Sequence, residues 1–236
     1  FANKDDLSNR FVDTPREGFK LALDISAYSL VATAREAEKL MTNGGTVLTL
    51  SDSQGFIHDP DGISQDKIDW IKNLKNVKRG RIEEYCDQFK GSSFTKGQTP
   101  WGVACDVALP CATQNELLGA DAKTLVANGC IAVAEGANMP TDLDGVHIFK
   151  AAKLMYAPGK ASNAGGVAVS GLEMSQNSER RAWKEAELQQ MLKDIMDGIH
   201  SRCVEYGQQG GGYCDYVKGA NIAGFKKVAD AMLAFG

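Results

Sequence analysis

From Cys105 onward the chain alternates short apolar runs with helical patterns, and that alternation restricts the fold more than any other feature. Cys105-Asp-Val-Ala-Leu109, Cys130-Ile-Ala-Val-Ala134 and Leu154-Met-Tyr-Ala157 read as buried strands, separated by helical stretches near 119–128 and 142–152. Strands that alternate with helices are joined by crossover connections, which argues for an α/β fold with a doubly wound parallel sheet covered by helices on both faces. After Ser162 helical periodicity continues to the end, broken only around Gln209–Tyr213, where Gly210-Gly211-Gly212 reads as a loop.

Upstream, Thr14-Pro15-Arg16-Glu17 has the pattern of a helix start: a Thr cap, Pro at the first helical position and a Glu able to reach back to the cap. Phe19, Leu23, Tyr28, Val31, Ala34 and Leu40 recur at near-helical spacing, so a helix is predicted to about Met41, ended by Asn43-Gly44-Gly45. Thr46-Val-Leu-Thr-Leu50 then reads as a buried strand closed by Ser51-Asp52-Ser53. Asp59-Pro60-Asp61-Gly62 is a turn, and Ser64 caps a charged helical stretch running in one or two pieces to about Phe89.

The 236 residues are 43% hydrophobic and 24% charged, enough for one large or two small domains, with 26 Lys and Arg against 30 Asp and Glu. That balance excludes a disordered chain, a collagen and a basic nucleic-acid sleeve. No apolar run approaches the roughly 20 residues of a membrane helix, and no signal-peptide pattern opens the chain, so a soluble, cytoplasmic protein without a membrane or nucleic-acid partner is expected. The sequence begins at Phe1 and is read as a fragment. Cysteines 86, 105, 111, 130, 203 and 214 form no Cys-x-x-Cys pair and are expected to be reduced. His200 stands three residues before Cys203, but no second closely spaced pair completes a zinc site, so no metal is expected.

Polar clusters follow four expected strands: Ser51-Asp52-Ser53, Pro110–Asn115, Glu135–Pro140 and Pro158–Gly166. Ligands of open α/β sheets bind outside the carboxyl ends of the strands, which makes these clusters the candidate site. Turn formation alone is the competing explanation for each. An acidic residue such as Asp52 is where a dinucleotide fold meets the adenosine ribose, and Ser51 and Ser53 suit a 2′-phosphate. No Gly-x-Gly-x-x-Gly lies between a strand and a helix, and no Walker loop occurs. Cys111 reads as a packing residue rather than a nucleophile, Lys160 as a solvated lysine, and the basic stretch Lys72–Arg81 as a solvated face.

Long stretches carry a family resemblance. From about Leu50 to Gly236 the chain resembles the carboxy-terminal nucleotide domain of hexameric, NADP-type glutamate dehydrogenases. The matching residues include Thr49-Leu-Ser-Asp-Ser53, Pro100-Trp101, Asp106-Val-Ala-Leu-Pro-Cys-Ala-Thr-Gln-Asn-Glu-Leu117, Ala132-Val-Ala-Glu-Gly-Ala-Asn-Met-Pro140, Ala157-Pro-Gly-Lys-Ala161, Asn163-Ala-Gly-Gly-Val-Ala168, Ser170-Gly-Leu-Glu-Met174 and Gly219-Ala-Asn-Ile-Ala-Gly-Phe225. The resemblance implies a Rossmann-like sheet, incomplete at its amino-terminal phosphate-loop unit, with C-terminal helices. It implies cofactor binding by Ser51, Asp52, Ser53, Ala112, Thr113 and Asn138, the last near the nicotinamide, and glutamate binding by Asn163, Val167 and Ser170. NADP is the implied cofactor, with NAD as second choice. Glutamate, 2-oxoglutarate and ammonia are the implied reactants and a homohexamer the implied assembly. The family's catalytic Lys and Asp belong to its amino-terminal domain, so no catalytic residue is expected in this chain.

Residues 1–49 instead resemble a middle segment of the enoyl-acyl-carrier-protein reductases, through Phe1-Ala-Asn-Lys-Asp-Asp-Leu7, Thr14-Pro-Arg-Glu-Gly-Phe19 and Asp24-Ile-Ser-Ala-Tyr-Ser-Leu30. That resemblance would put Ala2 by an acyl substrate, but the reductases' catalytic Tyr and Lys are not recognisable, and Tyr28 reads as core. The expected organisation is a helix-strand segment over 1–49, a nucleotide domain over 50–160 and a helical part over 161–236. The chain thus reads as a fragment or chimera of a glutamate dehydrogenase, inactive alone. A non-catalytic nucleotide-binding module and a reductase-related protein are the alternatives.

Overall fold

The computed structural model describes residues 45–236, and the chain divides at Pro100 into two units. The helix expected over 14–41, with Tyr28 and Ala2, lies outside the described residues.

In the first unit, β1 (Thr49–Asp52), β2 (Gly55–His58) and β3 (Ser93–Lys96) form an antiparallel sheet in the order β1-β2-β3. Leu50 faces Ile57, and Ile57 faces Phe94. This corrects the expected strand: it starts at Thr49 rather than Thr46, includes Ser51 and Asp52, and doubles back at once. The reversal has a local cause. The Asp52 Oδ1 accepts the Gln54 N–H at 2.9 Å, the Asx turn that a short acidic side chain makes with backbone two residues on. Gly55 follows at φ 154, where an added Cβ would lie 2.1 Å from the Thr95 carbonyl oxygen of the neighbouring strand.

The charged helical stretch breaks into pieces. Helix α1 (Gln65–Asn73) runs into a π-helical turn at Leu74–Lys78, closed by Arg79 in the left-handed region at φ 57. A 3₁₀ turn (Ile82–Glu84) and the short helix α2 (Tyr85–Gln88) follow. Ile68 and Ile71, three apart on one helical face, pack with Leu50, Ile57, Ile63, Ile82 and Tyr85 into the unit's core.

The second unit keeps the expected alternation: β4 (Val107–Ala108), α3 (Gly119–Ala127), β5 (Ala132–Ala134), α4 (Leu143–Ala151) and β6 (Met155–Ala157). The strands are parallel in the order β4-β5-β6, with Val107 beside Ala132 and Val133 beside Tyr156. The α/β class therefore holds, with a parallel sheet of very short strands. Trp101, Leu117, Leu125, Val133, Phe149 and Tyr156 form the core. Helices α5 (Gly159–Ser162), α6 (Ala164–Glu179), α7 (Glu185–Gly207) and α8 (Tyr216–Phe235) complete the unit, with Gly210–Gly212 as a single turn between the last two. Asp215 caps α8 by accepting the Lys218 N–H at 2.9 Å and pairs with Lys150 of α4 at 3.0 Å. Among the described residues no helix is long and apolar enough to cross a membrane.

Candidate functional site

Three loops leave the carboxyl ends of β4, β5 and β6, and backbone hydrogen bonds lace them together. The Pro110 carbonyl accepts the N–H groups of Gly136 and Ala137 at 2.9 and 3.3 Å. Farther out, Asn115 N–H reaches the Met139 carbonyl and Leu117 N–H that of Pro140, each at 3.0 Å. Asn115 and Met139 both stand in the left-handed region, at φ 56 and 49. Asn tolerates that conformation, but an unbranched apolar residue adopts it only when its surroundings dictate it. Met139 is therefore held in a strained backbone by the neighbouring loops, directly beside Asn138.

The side chain that organises these loops is Glu135, 3% exposed. Its carboxylate accepts the Tyr156 hydroxyl at 2.6 Å, the Gly159 N–H at 2.6 Å and the Thr141 N–H at 3.2 Å. Its own carbonyl takes the Ser162 hydroxyl at 2.6 Å. A buried carboxylate is tolerated only when such donors replace its water. Burial, and then the hydrogen bond to Glu135, push the Tyr156 phenol well above its usual range, so it remains a donor. Gly159 is required for the close approach: an added Cβ would stand 2.6 Å from the Ala137 carbonyl oxygen.

Glu116 closes the loop after β4 by accepting the Ala112 N–H at 2.8 Å. Burial raises the Glu116 carboxyl pKa, the backbone bonds from Ala112 and Thr113 oppose the rise, and the nearby Glu135 charge adds to it.

Of the residues expected to bind ligand, the structure brings Asn138 and Asn163 together. The Asn163 Nδ2 donates to the Asn138 Oδ1 at 2.8 Å and to the Ala137 carbonyl at 2.9 Å. Ala112, Thr113 and Asn138 are exposed, as is Val167, one turn beyond Asn163 on the same face of α6. Ser170 is half-buried and its hydroxyl donates to the Gly166 carbonyl at 3.2 Å. This surface of exposed carboxamides and backbone suits a neutral planar amide, the recognition element of a nicotinamide.

Ser51, Asp52 and Ser53 lie in the first unit and are described apart. Asp52 is engaged on both oxygens: Oδ1 by Gln54 N–H, and Oδ2 by the Lys75 ammonium at 3.0 Å and the Ile82 N–H at 3.1 Å. Burial opposes its ionisation, but these donors prevail and hold its pKa below the usual carboxylate range. Ser53 is exposed, and its hydroxyl accepts from the Arg81 guanidinium at 3.3 Å. A hydroxyl beside an exposed guanidinium fits a phosphate. Reading Lys72–Arg81 as a solvated face overlooked Arg81 and Lys75, whose partners stand 28 and 23 residues away. Glu135 stands in the expected cluster Glu135–Pro140, but the sequence does not show its anchoring role, and Glu116 lies just outside the expected cluster Pro110–Asn115. The Glu four residues after Ala112 was the one local signal for Glu116.

None of the six cysteines is in a disulfide, and among the described residues no group of three His, Cys, Asp or Glu side chains gathers to hold a metal ion. His200 pairs instead with the Tyr216 hydroxyl at 3.2 Å.

An α/β unit with exposed polar groups collected outside the carboxyl ends of parallel strands has the architecture of a small-ligand or nucleotide-binding sheet. The sequence profile of Glutamate/Leucine/Phenylalanine/Valine dehydrogenase matches residues 31–236, and the chain belongs to that family. The profile of Enoyl-(Acyl carrier protein) reductase matches residues 1–60. The two matches overlap over 31–60, so the dehydrogenase-like stretch begins upstream of the Leu50 expected from the sequence. A glutamate dehydrogenase of Bacteroides thetaiotaomicron is 58% identical over 199 residues, covering 84% of this chain and 45% of the relative. An NAD(P)-specific glutamate dehydrogenase of Xylanibacter ruminicola is 57% identical over the same shares. The crystal structure of Plasmodium falciparum glutamate dehydrogenase superposes with a TM-score of 0.80 at 43% identity, over 86% of this chain and 44% of that one. The chain thus spans about 45% of the length of the curated relatives it matches.

Proposed function

We propose that this chain is the nucleotide-binding part of a glutamate dehydrogenase, an oxidoreductase converting glutamate to 2-oxoglutarate and ammonia, with NADP as cofactor and NAD as second choice. When bound, the nicotinamide supplies the acceptor for the hydride leaving the amino acid. The observation that carries the reading is the Asn138–Asn163 pair, fixed on the Glu135-centred loops outside the parallel strands. Asn138 presents its carboxamide to the ring, Ala112 and Thr113 line the groove beside it, and Asn163, Val167 and Ser170 on and before α6 face the substrate. In the first unit, Ser53 with Arg81 offers the pairing for the phosphate that distinguishes NADP from NAD, with Ser51 beside them, while Asp52 fixes the turn that presents Ser53.

Hydride transfer needs cofactor and amino acid clamped in register, so the chain alone binds nucleotide without appreciable turnover. The complete assembly is a cytoplasmic homohexamer, and the amino-terminal segment is a join between two sequences, a reading supported by the match of residues 1–60 to a different family. Asn163→Ala removes the bond to the Asn138 side chain and the one to the Ala137 carbonyl before it, and a roughly tenfold weaker NADPH affinity is expected, worth about 1.4 kcal/mol. An unchanged dissociation constant would remove the carboxamide pair from the cofactor site. Glutamate-dependent NADP reduction by the purified chain would overturn its inactivity.

A further inference from the structure

Two thiols with no part in the proposed cofactor site meet at the amino-terminal end of the parallel sheet, away from the strand-end loops. Val107 lies opposite Ala132, so counting back two residues on each chain segment brings Cys105 opposite Cys130 on the same face. The approach is held by the Asp106 carbonyl, which accepts the N–H groups of Ile131 at 2.9 Å and Ala132 at 3.2 Å. Residues facing each other on neighbouring strands have Cα atoms about 4.8 Å apart, inside the range that disulfides span. The Cys130 thiol donates to the carbonyl of Asp106, the residue next to Cys105, at 3.5 Å, and to that of Ala132 at 3.3 Å. Cys130 is 7% exposed within the core cluster of Trp101 and Leu125, and the half-buried Cys105 packs against that cluster.

We propose that Cys105 and Cys130 form a dithiol modification site that closes to an intramolecular disulfide on oxidation by hydrogen peroxide. One sulfur attacks the peroxide, breaking its O–O bond and becoming a sulfenic acid as the other oxygen leaves as water. The second sulfur then attacks the sulfenic sulfur, forming the S–S bond and releasing a second water. Two thiols are oxidised by two electrons and one peroxide is reduced. Cys130 is the sulfur of the pair that loses its proton more readily. Its interaction with the neighbouring Cys105 sulfur, against the cost of burial, lowers its pKa to about 7, and the same interaction, with burial, raises that of Cys105.

The test is peroxide treatment of the full chain, blocking of the remaining thiols under denaturing conditions, and peptide mass mapping without reduction. A cross-linked peptide pair containing Cys105 and Cys130, two hydrogens lighter than the separate peptides and restored by dithiothreitol, is expected. It should vanish in Cys105→Ser and in Cys130→Ser. Because Cys130→Ser alters the core, Cys105→Ser carries the decision where the other fails to fold: Cys130 should then stop at the sulfenic acid and be trapped by dimedone. Recovery of both cysteines as alkylated thiols, their separate oxidation to sulfinic acids, or linkage to other cysteines would overturn the proposal.

Discussion

The first unit buries Asp59 at 2% exposure and the second buries Glu135 at 3%, yet the two carboxylates are satisfied by different chemistry. Asp59 takes the Lys67 ammonium at 2.6 Å and the Tyr85 hydroxyl at 2.5 Å, both from the helical stretch that packs on its own sheet. Lys67 remains 22% exposed, so water helps to carry its charge. Glu135 takes one hydroxyl and two backbone N–H groups, drawn from β6, the loop before α4 and the start of α5. A cation can swing to solvent when its partner is lost, but buried neutral donors cannot. Asp59 therefore anchors a core, whereas Glu135 fixes the loops that carry the candidate site.

Replacing Glu135 with Ala should have the largest effect. It orphans three buried donors at roughly 1–3 kcal/mol each, so a loss of about 3–5 kcal/mol is expected after partial relaxation. Urea unfolding followed by the fluorescence of the buried Trp101 measures it. A loss under about 1 kcal/mol would show that the loops hold one another without Glu135. Asp59→Asn should cost less, about 2 kcal/mol, because Asn keeps an acceptor for Tyr85 and Lys67 can turn to water. A cost equal to that of Glu135→Ala would erase the contrast between the two carboxylates.

Acid should sharpen the difference further. Burial opposes ionisation of Asp59, but Lys67 and the Tyr85 hydroxyl more than offset it and lower its pKa, and Asp52 is lowered in the same manner by Gln54, Ile82 and Lys75. Groups with depressed folded values contribute stability that is complete above the unfolded carboxylate pKa of about 4 and disappears as pH falls through the folded values. Unfolding of the first unit should therefore become easier below about pH 4. Asp52→Asn should flatten that dependence by roughly 1 kcal/mol. An unchanged pH profile in the variant would show that its ion pair with Lys75 contributes nothing.

The alternation β4-α3-β5-α4-β6 was legible in the sequence because each element carries its own apolar period and its helix or turn signals. The family resemblance was legible because whole stretches such as Ala132–Pro140 match. The hairpin of β1 and β2 was not legible. Thr46–Leu50 looked like a complete buried strand, while Ser51 and Asp52, which carry the pairing onward, read as punctuation. Nor does the four-residue β3 stand out in a polar stretch. At the site, Asn138 and Asn163 are expected from the sequence to bind ligand, but their mutual bond spans 25 residues and no periodicity encodes it. Glu135 was hidden for the same reason, since its donors lie 6 to 24 residues away. Local pattern specifies elements, whereas burial of a charge depends on which distant donors the fold collects.

The most direct measurement is equilibrium titration of the purified chain with NADPH, and with NADH in parallel, followed by nicotinamide fluorescence. Saturable binding, tighter for NADPH and weakened in Asn163→Ala, is predicted for strand-end loops that hold a nicotinamide nucleotide. Absence of saturable binding to both nucleotides in a folded chain would contradict the assignment of these loops as the cofactor site.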